Sequence, residues 1–291
     1  MDQHQDRSGA IPVAVYTPES RLSQPGVLLK EVWTDLQVSR ELAWQLFQRQ
    51  LGSRYRQTAL GPLWVLITPM FTAFVATILR GSNVFSAAPD DALPYPIKVF
   101  FATIVWGCFS KSVMLPLQAM RESLAILRTM RVAVEGFLMA KVGEILFDQS
   151  FQFLVLGVVF LLLGTSVSFS GTIMAIGLLA IMVAFGMSIG FFIVPIGSLY
   201  LDVSKALPLI LRLWFFLTPV IYAPVISEDS PYAFVLAWNP VTPLLQGVLD
   251  VSLGKPLVGG LSIVIVSIIS LILFALGWLV YRISIPLLVE R

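Results

Sequence analysis

The densest group of residues able to do chemistry is a cationic, polar stretch from Arg49 to Gln57. A guanidinium presents a planar fork of donors, so arginines in such a stretch can bind phosphate oxygens in pairs. At headgroup depth the stretch suits an anionic lipid or a lipid-linked phosphate. The alternative is an ordinary positive-inside anchor, and composition alone favours that alternative. The candidate phosphate-binding residues are Arg49, Arg54, Tyr55, Arg56 and Gln57.

The residues of conventional catalytic and metal sites are scarce. His4 is the only histidine and Cys108 the only cysteine, so we expect neither a histidine-based site nor a disulfide within one chain. The sequence nearest to a nucleotide-binding P-loop, from Gly254 to Pro256, has the wrong spacing and the wrong final residue. We therefore predict no catalytic residue, no metal and no cofactor in this chain. If the chain takes part in ATP-driven transport, another subunit must bind the ATP and magnesium.

Several ionisable and aromatic residues lie inside or beside apolar runs. Lys111 lies deepest and is a candidate for a polar pathway, because burying an unpaired charge is costly. Glu144 and Asp148 lie one helical turn apart near Lys141, which predicts a structural ion pair at the membrane surface. Aromatic rings can stack on sugars or form a girdle at the membrane interface, and both alternatives stay open. The candidate channel-lining residues are Trp106, Phe109, Lys111, Trp214, Phe215 and Tyr222.

The elements that carry these residues are predicted to be membrane-spanning helices. Hydrophobic residues make up 57% of the 291 residues and charged ones 12%, which is too apolar for a soluble globule. The apolar residues form continuous runs, and a helix needs about 20 such residues to cross the hydrocarbon core. Continuous rather than alternating runs favour helices over a barrel. The fold class is all-α membrane, with six transmembrane helices at about 63–79, 96–120, 142–163, 172–200, 206–225 and 258–281.

The charges predict the orientation of these helices. Basic residues cluster before the first span, between the second and third, around the turn between the fourth and fifth, and after the sixth. By the positive-inside rule both termini are cytoplasmic. The net charge of +2 argues against an acidic partner such as nucleic acid, and membrane lipids are the expected surroundings.

The segments outside the spans divide the chain further. Residues 1–28 are predicted to be a cytoplasmic tail, 29–51 an amphipathic interface helix, and 52–291 the transmembrane domain. Between the second and third spans, 121–141 predicts a short cytoplasmic helix broken at Gly136, which docks either a partner protein or the membrane surface. Between the fifth and sixth spans, short apolar segments punctuated by prolines predict a re-entrant hairpin on the outer side.

Several motifs resemble those of polysaccharide-exporting ABC transporter permeases, a branch of the ABC-2 type exporters. The segment Arg54 to Trp64 resembles the family's opening R-Y-x-x-(S/T)-x-L-G-x-x-W. The segment Leu213 to Tyr222 is similar to its fifth-span L-x-F-F-x-S-P-V-I-Y, with Thr218 in place of the frequent Ser. Trp106 with Phe109 resembles a second-span W-x-x-F, and Asn239-Pro240 resembles an outer N-P. The matches run in order along nearly all of the chain beyond the tail.

The resemblance implies a homodimer of permeases joined to two ATP-binding ABC subunits in the bacterial cytoplasmic (inner) membrane. Such a transporter exports a lipid-linked glycan, and this chain would form the channel without ATPase activity of its own. The O-antigen, capsule and teichoic acid branches are not separated by these motifs. The resemblance makes Arg54 and Arg56 the entrance for the lipid phosphates. It also implies that Arg121, Arg128 and Arg131 couple this chain to the ATPase. Trp238, Asn239 and Pro240 would form an outer gate.

Two other functions share this topology. An ABC-2 type exporter of a drug or small lipid would have the same spans. A membrane-embedded transferase acting on lipid-linked sugars would need a catalytic carboxylate, for which Glu144 or Asp148 would be the candidates.

Overall fold

A computed structural model of the chain describes residues 25–56, 58–82, 93–127, 134–165, 167–222 and 238–289, and every regular element in these ranges is helical. A 3₁₀ turn over Gly61–Leu63 leads into the second of the α-helices. The eight α-helices of the described part are α1 (Pro25–Arg56), α2 (Trp64–Gly81), α3 (Tyr95–Leu127), α4 (Val134–Leu162), α5 (Phe169–Leu199), α6 (Leu201–Leu217), α7 (Val241–Ser252) and α8 (Gly260–Val289).

Five of these helices are long and apolar enough to cross a membrane: α2 with its 3₁₀ turn, α3, α4, α5 and α8. The chain is therefore a multi-pass, all-helical membrane protein. The predicted fifth span, 206–225, corresponds to α6, which starts earlier and ends at Leu217 after only 17 residues. At about 1.5 Å per residue α6 falls short of a hydrocarbon core of about 30 Å. The helix ends there because Thr218 precedes Pro219 and is extended, with ψ 137°.

The separate cytoplasmic helix predicted for 121–141 is wrong, since α3 continues to Leu127 and α4 already begins at Val134. Gly136 lies inside α4 and does not break it. A Cβ at Gly136 would come within 2.9 Å of the Leu42 side chain, so this glycine lets α1 pack closely against α4. Phe47 approaches Gly143, two turns further along α4, in the same way. The predicted interface helix is thus part of a longer α1 that docks on α4.

The core of the protein lies where α5 packs against α3. Gly186 and Gly190 are spaced as in the small-xxx-small pattern that allows membrane helices to approach closely. A Cβ at Gly186 would lie 2.8 Å from the Phe109 carbonyl oxygen, and one at Gly190 would meet the Val113 carbonyl and the Pro116 ring. Phe109 and Val113 on α3 are fully buried. This contact fixes the position of α3, which carries much of the site described next.

Candidate functional site

The candidate site begins where α1 turns into α2. Gly61 has a φ of +50°, in the left-handed region that favours glycine, and starts the 3₁₀ turn before α2. Just before it, the Thr58 hydroxyl donates to the Tyr55 carbonyl at 3.1 Å. The sharp turn brings the last turn of α1, which carries Arg54 and Tyr55, against α3 and α4.

Three donors from two helices converge there on the carboxylate of Asp148 in α4. Arg54 Nη1 lies 3.1 Å from Oδ2, and Lys111 Nζ of α3 lies 3.1 Å from the same oxygen. The Tyr55 hydroxyl donates to Oδ1 at 3.0 Å. The Asp148 side chain is only 3% exposed, whereas Arg54 is 46% and Lys111 34% exposed. The carboxylate is thus buried behind two cations that remain open to their surroundings.

Tyr55 is a stable hydrogen-bond donor in this cluster. Partial burial, and then the negative charge of Asp148, raise the pKa of Tyr55 to about 12. The phenol therefore stays neutral at physiological pH. Because the folded pKa is raised, the contribution of this group to stability is present below the ordinary tyrosine pKa and is lost as the pH rises through about 12.

The predicted ion pair of Lys141 with the acidic residues of α4 is confirmed for Glu144 and wrong for Asp148. Lys141 Nζ lies 2.9 Å from Glu144 Oε1 and 2.8 Å from Glu122 Oε1 of α3. Asp148 instead faces Arg54 and Lys111, which supply its counter-charge. The two acidic residues of α4 therefore serve different contacts.

A cavity of about 840 Å³ opens beside this cluster, between α2, α3 and α6. Its wall is mainly apolar, with hydroxyl groups from Thr68 and Thr72 of α2. Among the described residues that line it, the charged side chains are all cationic: Arg54, Lys111 and Arg212. Such a cavity can hold a large apolar or amphipathic molecule while attracting its anionic part.

The predicted channel aromatics come together in one cluster, with one exception. The Trp106 ring lies 5.2 Å from Phe109, 6.4 Å from Trp214 and 5.9 Å from Phe215, between ring centroids. Trp106 and Phe215 line the cavity together with Lys111, whereas the fully buried Phe109 stacks on Phe185 in the core. Tyr222 lies outside the cluster, and its hydroxyl donates to the Phe216 carbonyl at 3.2 Å. Whether this wall conducts a glycan stays a prediction.

The remaining predicted site residues lie elsewhere. Arg49 and Arg56 are exposed on α1, beside the cluster rather than in it. Arg121 Nη2 donates to the Gly197 carbonyl at 2.7 Å and so caps the C-terminal end of α5. The other predicted residues, Gln57, Arg128 and Arg131, lie outside the described part of the chain.

Two residues of the site, Gln152 and Arg212, were not among the predicted ones, and Asp148 was expected only in an ion pair or in the transferase alternative. Gln152 lines the cavity, its Nε2 donates to the Val65 carbonyl of α2 at 2.7 Å, and its Oε1 is buried without a partner among the described residues. The available signal was a polar side chain inside an apolar run. Such a side chain is costly to bury in a membrane and therefore indicates a functional site.

Asn239 connects two of the predicted motifs, the one over 213–222 and the one over 239–240. Its Oδ1 accepts from the Trp214 indole N–H and the Val241 backbone N–H, both at 3.1 Å. Its Nδ2 donates to Thr218 Oγ1 at 2.8 Å and to the Leu217 carbonyl at 3.3 Å. Asn239 therefore ties the end of α6 to the start of α7. Trp238 beside it is exposed, and Pro240 is the residue from which α7 starts.

Replacing Asn239 by alanine is expected to lower the free energy of unfolding by about 2–4 kcal/mol, because buried groups of Trp214 and Thr218 lose their partners. Thermal unfolding of the purified protein measures the effect. The control is Thr242→Val, since the Thr242 hydroxyl is buried without a partner within the described ranges. Equal midpoints for the two variants would contradict the proposed tie.

The sequence matches the ABC-2 type transporter family over residues 41–253, well over half of the chain. It is 26% identical to the O-antigen export system permease protein RfbA of Myxococcus xanthus over 208 residues, which cover 71% of this chain and 78% of that protein. It is 18% identical to the polysialic acid transport protein KpsM of Escherichia coli over 238 residues, 81% of this chain and 91% of that protein. Five helices of the described part are long and apolar enough to cross a membrane, and this chain belongs to the ABC-2 type transporter family as a membrane permease subunit.

Proposed function

We propose that this chain is the permease of an ATP-driven exporter that moves a lipid-linked polysaccharide across the bacterial cytoplasmic membrane. The names of the two relatives, one an O-antigen export permease and one a polysialic acid transport protein, support a glycan substrate. These names do not distinguish O-antigen from capsule or teichoic acid as the substrate. The proposed substrate is therefore the class of long, lipid-linked glycans.

The observation that carries the proposal is the cavity beside the α1–α2 junction. Arg54 and Arg212 offer charge to a phosphate, while the wall offers Trp106 and Phe215 to sugar faces or to an isoprenoid chain. The substrate would enter with its phosphates at the cationic group, where Arg49, Arg56 and Gln57 on the same stretch would attract it.

The rest of the transporter follows from the resemblance. Two copies of this chain would form the channel, and two ATP-binding subunits would bind on the cytoplasmic side, at a coupling surface that includes Arg128 and Arg131. The large apolar side chains exposed on α2 and α6, such as Phe71 and Leu213, suit contact with a second copy or with lipid. ATP and magnesium would be bound by the partner, and this chain would hydrolyse nothing alone.

On the outer side we propose that α6 and the residues after it complete a fifth crossing, which gives six spans and two cytoplasmic termini. The 12 residues of α7 reach only about 18 Å, too little to cross. Their apolar side chains Leu244, Leu245 and Val248 are fully buried. A short, buried helix next to Asn239 supports a re-entrant outer gate at Trp238, Asn239 and Pro240.

Deletion of the gene tests the proposed substrate. We expect the surface polysaccharide to be lost and lipid-linked glycan to accumulate inside the cell. The wild-type gene should reverse both changes. Unchanged surface glycan would favour export of a drug or small lipid. A block in glycan assembly, without accumulation of the finished lipid-linked chain, would instead indicate a transferase.

A further inference from the structure

The Asp148 cluster has a geometry that a simple phosphate-binding site would not need. Arg54 Nη1 and Lys111 Nζ share Oδ2, and the Tyr55 hydroxyl donates to Oδ1, which also lies 3.3 Å from Arg54 Nη1. Each of these three donor groups is therefore already paired with an acceptor of the protein itself. Asp148 is buried and is not among the residues that line the cavity, whereas both cations line it.

The two cations differ in their freedom to leave Asp148. Arg54 lies in the last turn of α1, ahead of the turn at Gly61, and its side chain is the more exposed of the two. Lys111 lies in the middle of α3, which is locked against α5 by the glycine contacts. If Arg54 leaves, Lys111 and Tyr55 still neutralise and bind the buried carboxylate. The ion pair between Lys111 and Asp148 therefore keeps the buried carboxylate from losing its counter-charge, which would destabilise the protein.

The charges of the cavity then match a particular ligand. With Lys111 paired to Asp148, the cations that remain on the cavity wall are Arg54 and Arg212. A diphosphate that bridges a lipid and a sugar carries two negative charges and no more. A carboxylate, a phosphodiester headgroup or a neutral lipid carries at most one negative charge and would leave one or both arginines uncompensated.

We propose that Arg54 is exchanged between two anions: it binds Asp148 when the cavity is empty, and it binds the diphosphate of the substrate lipid when the cavity is filled. This inference rests on the proposed function and adds a role for two residues. Asp148 and Lys111 are positioning residues, since Asp148 holds Arg54 at the cavity and recaptures it when the substrate leaves, and Lys111 keeps Asp148 neutralised throughout. The exchange lowers affinity and thereby permits release.

Binding of a synthetic probe, farnesyl diphosphate esterified to N-acetylglucosamine, to the full chain in phosphatidylcholine nanodiscs tests the exchange, with farnesol as the control that lacks phosphates. In Asp148→Asn, Arg54 has no competing anion, and we expect the probe to bind about tenfold more tightly than to the wild type. In Lys111→Gln, Asp148 holds Arg54 alone, and affinity should fall. The double variant should bind like Asp148→Asn, because Lys111 acts only through Asp148.

Each other result has a definite meaning. Equal or weaker binding by a folded Asp148→Asn would overturn the exchange, and a double variant as weak as Lys111→Gln would make Lys111 a direct ligand and overturn its positioning role. If Asp148→Asn does not fold, Lys111→Gln and the double variant still decide. Displacement of the probe by phosphatidylglycerol at equal affinity would overturn the assignment to a diphosphate. No binding by the wild type would overturn the phosphate entrance of the proposed function as well.

Discussion

Gly190→Ala is expected to separate α5 from α3 and to destabilise the protein by at least about 3 kcal/mol, at the upper end of what an extra methyl group costs in a packed core. The added Cβ would meet the Val113 carbonyl and lie 2.7 Å from Pro116 Cδ. Neither atom belongs to a flexible side chain, so α3 as a whole would have to move. Because α3 carries Trp106 and Lys111, export should be lost together with stability.

Gly177→Ala is the matched control on the same helix, since a Cβ there meets nothing within 4 Å. Alanine is the better helix former, so this variant should be as stable as the wild type or slightly more so. Thermal aggregation of the detergent-solubilised protein, followed by size-exclusion chromatography, compares the two. Similar midpoints for both variants would show that α3 and α5 do not meet at Gly190.

Arg54→Glu is the second large effect, and it concerns transport rather than stability. The new carboxylate would lie beside Asp148 at the wall of the cavity and would repel a diphosphate. We expect the initial rate of export to fall at least about 100-fold, because a charge that attracts the diphosphate is replaced by one that repels it. Surface glycan in a deletion strain that carries the variant gives the rate.

Arg40→Glu provides the control for topology, because Arg40 is exposed on the same helix, lies outside the candidate site and contributes equally to the positive-inside charge. Its export should stay near the wild-type rate. Equal losses for the two variants would return Arg54 to the role of a topological anchor. Membrane insertion and stability, measured in parallel, must be normal for Arg54→Glu.

The membrane helices could be predicted from the sequence because each depends on a local property, an apolar run of sufficient length. The end of α6 at Leu217 could also be predicted from the sequence, since Thr218 precedes a proline. The apolar residues beyond Pro219 concealed this boundary and extended the predicted span to 225. The predicted break at Gly136 failed for the opposite reason, because this glycine accommodates Leu42 of another helix.

The site could be predicted only in part, because its contacts join distant parts of the chain. Arg54 was a candidate from its local cluster, but its partner Asp148 lies 94 residues further on, and Lys111 lies 37 residues from Asp148. No local pattern indicates which face of α4 meets α1. Gly186 and Gly190 show a recognisable spacing, yet that spacing does not say that α3 is the helix they contact.

ATP-dependent transport in proteoliposomes tests the central claim most directly. Inside-out vesicles would contain this chain, the ATP-binding subunit proposed as its partner, and a lipid-linked polysaccharide in the outer leaflet. We expect ATP to move the glycan into the lumen, where added glycosidase cannot cut it, and we expect Arg54→Glu to abolish this protection. ATP hydrolysis by this chain alone, or ATP-driven transport of a small lipid while the glycan stays outside, would contradict the central claim.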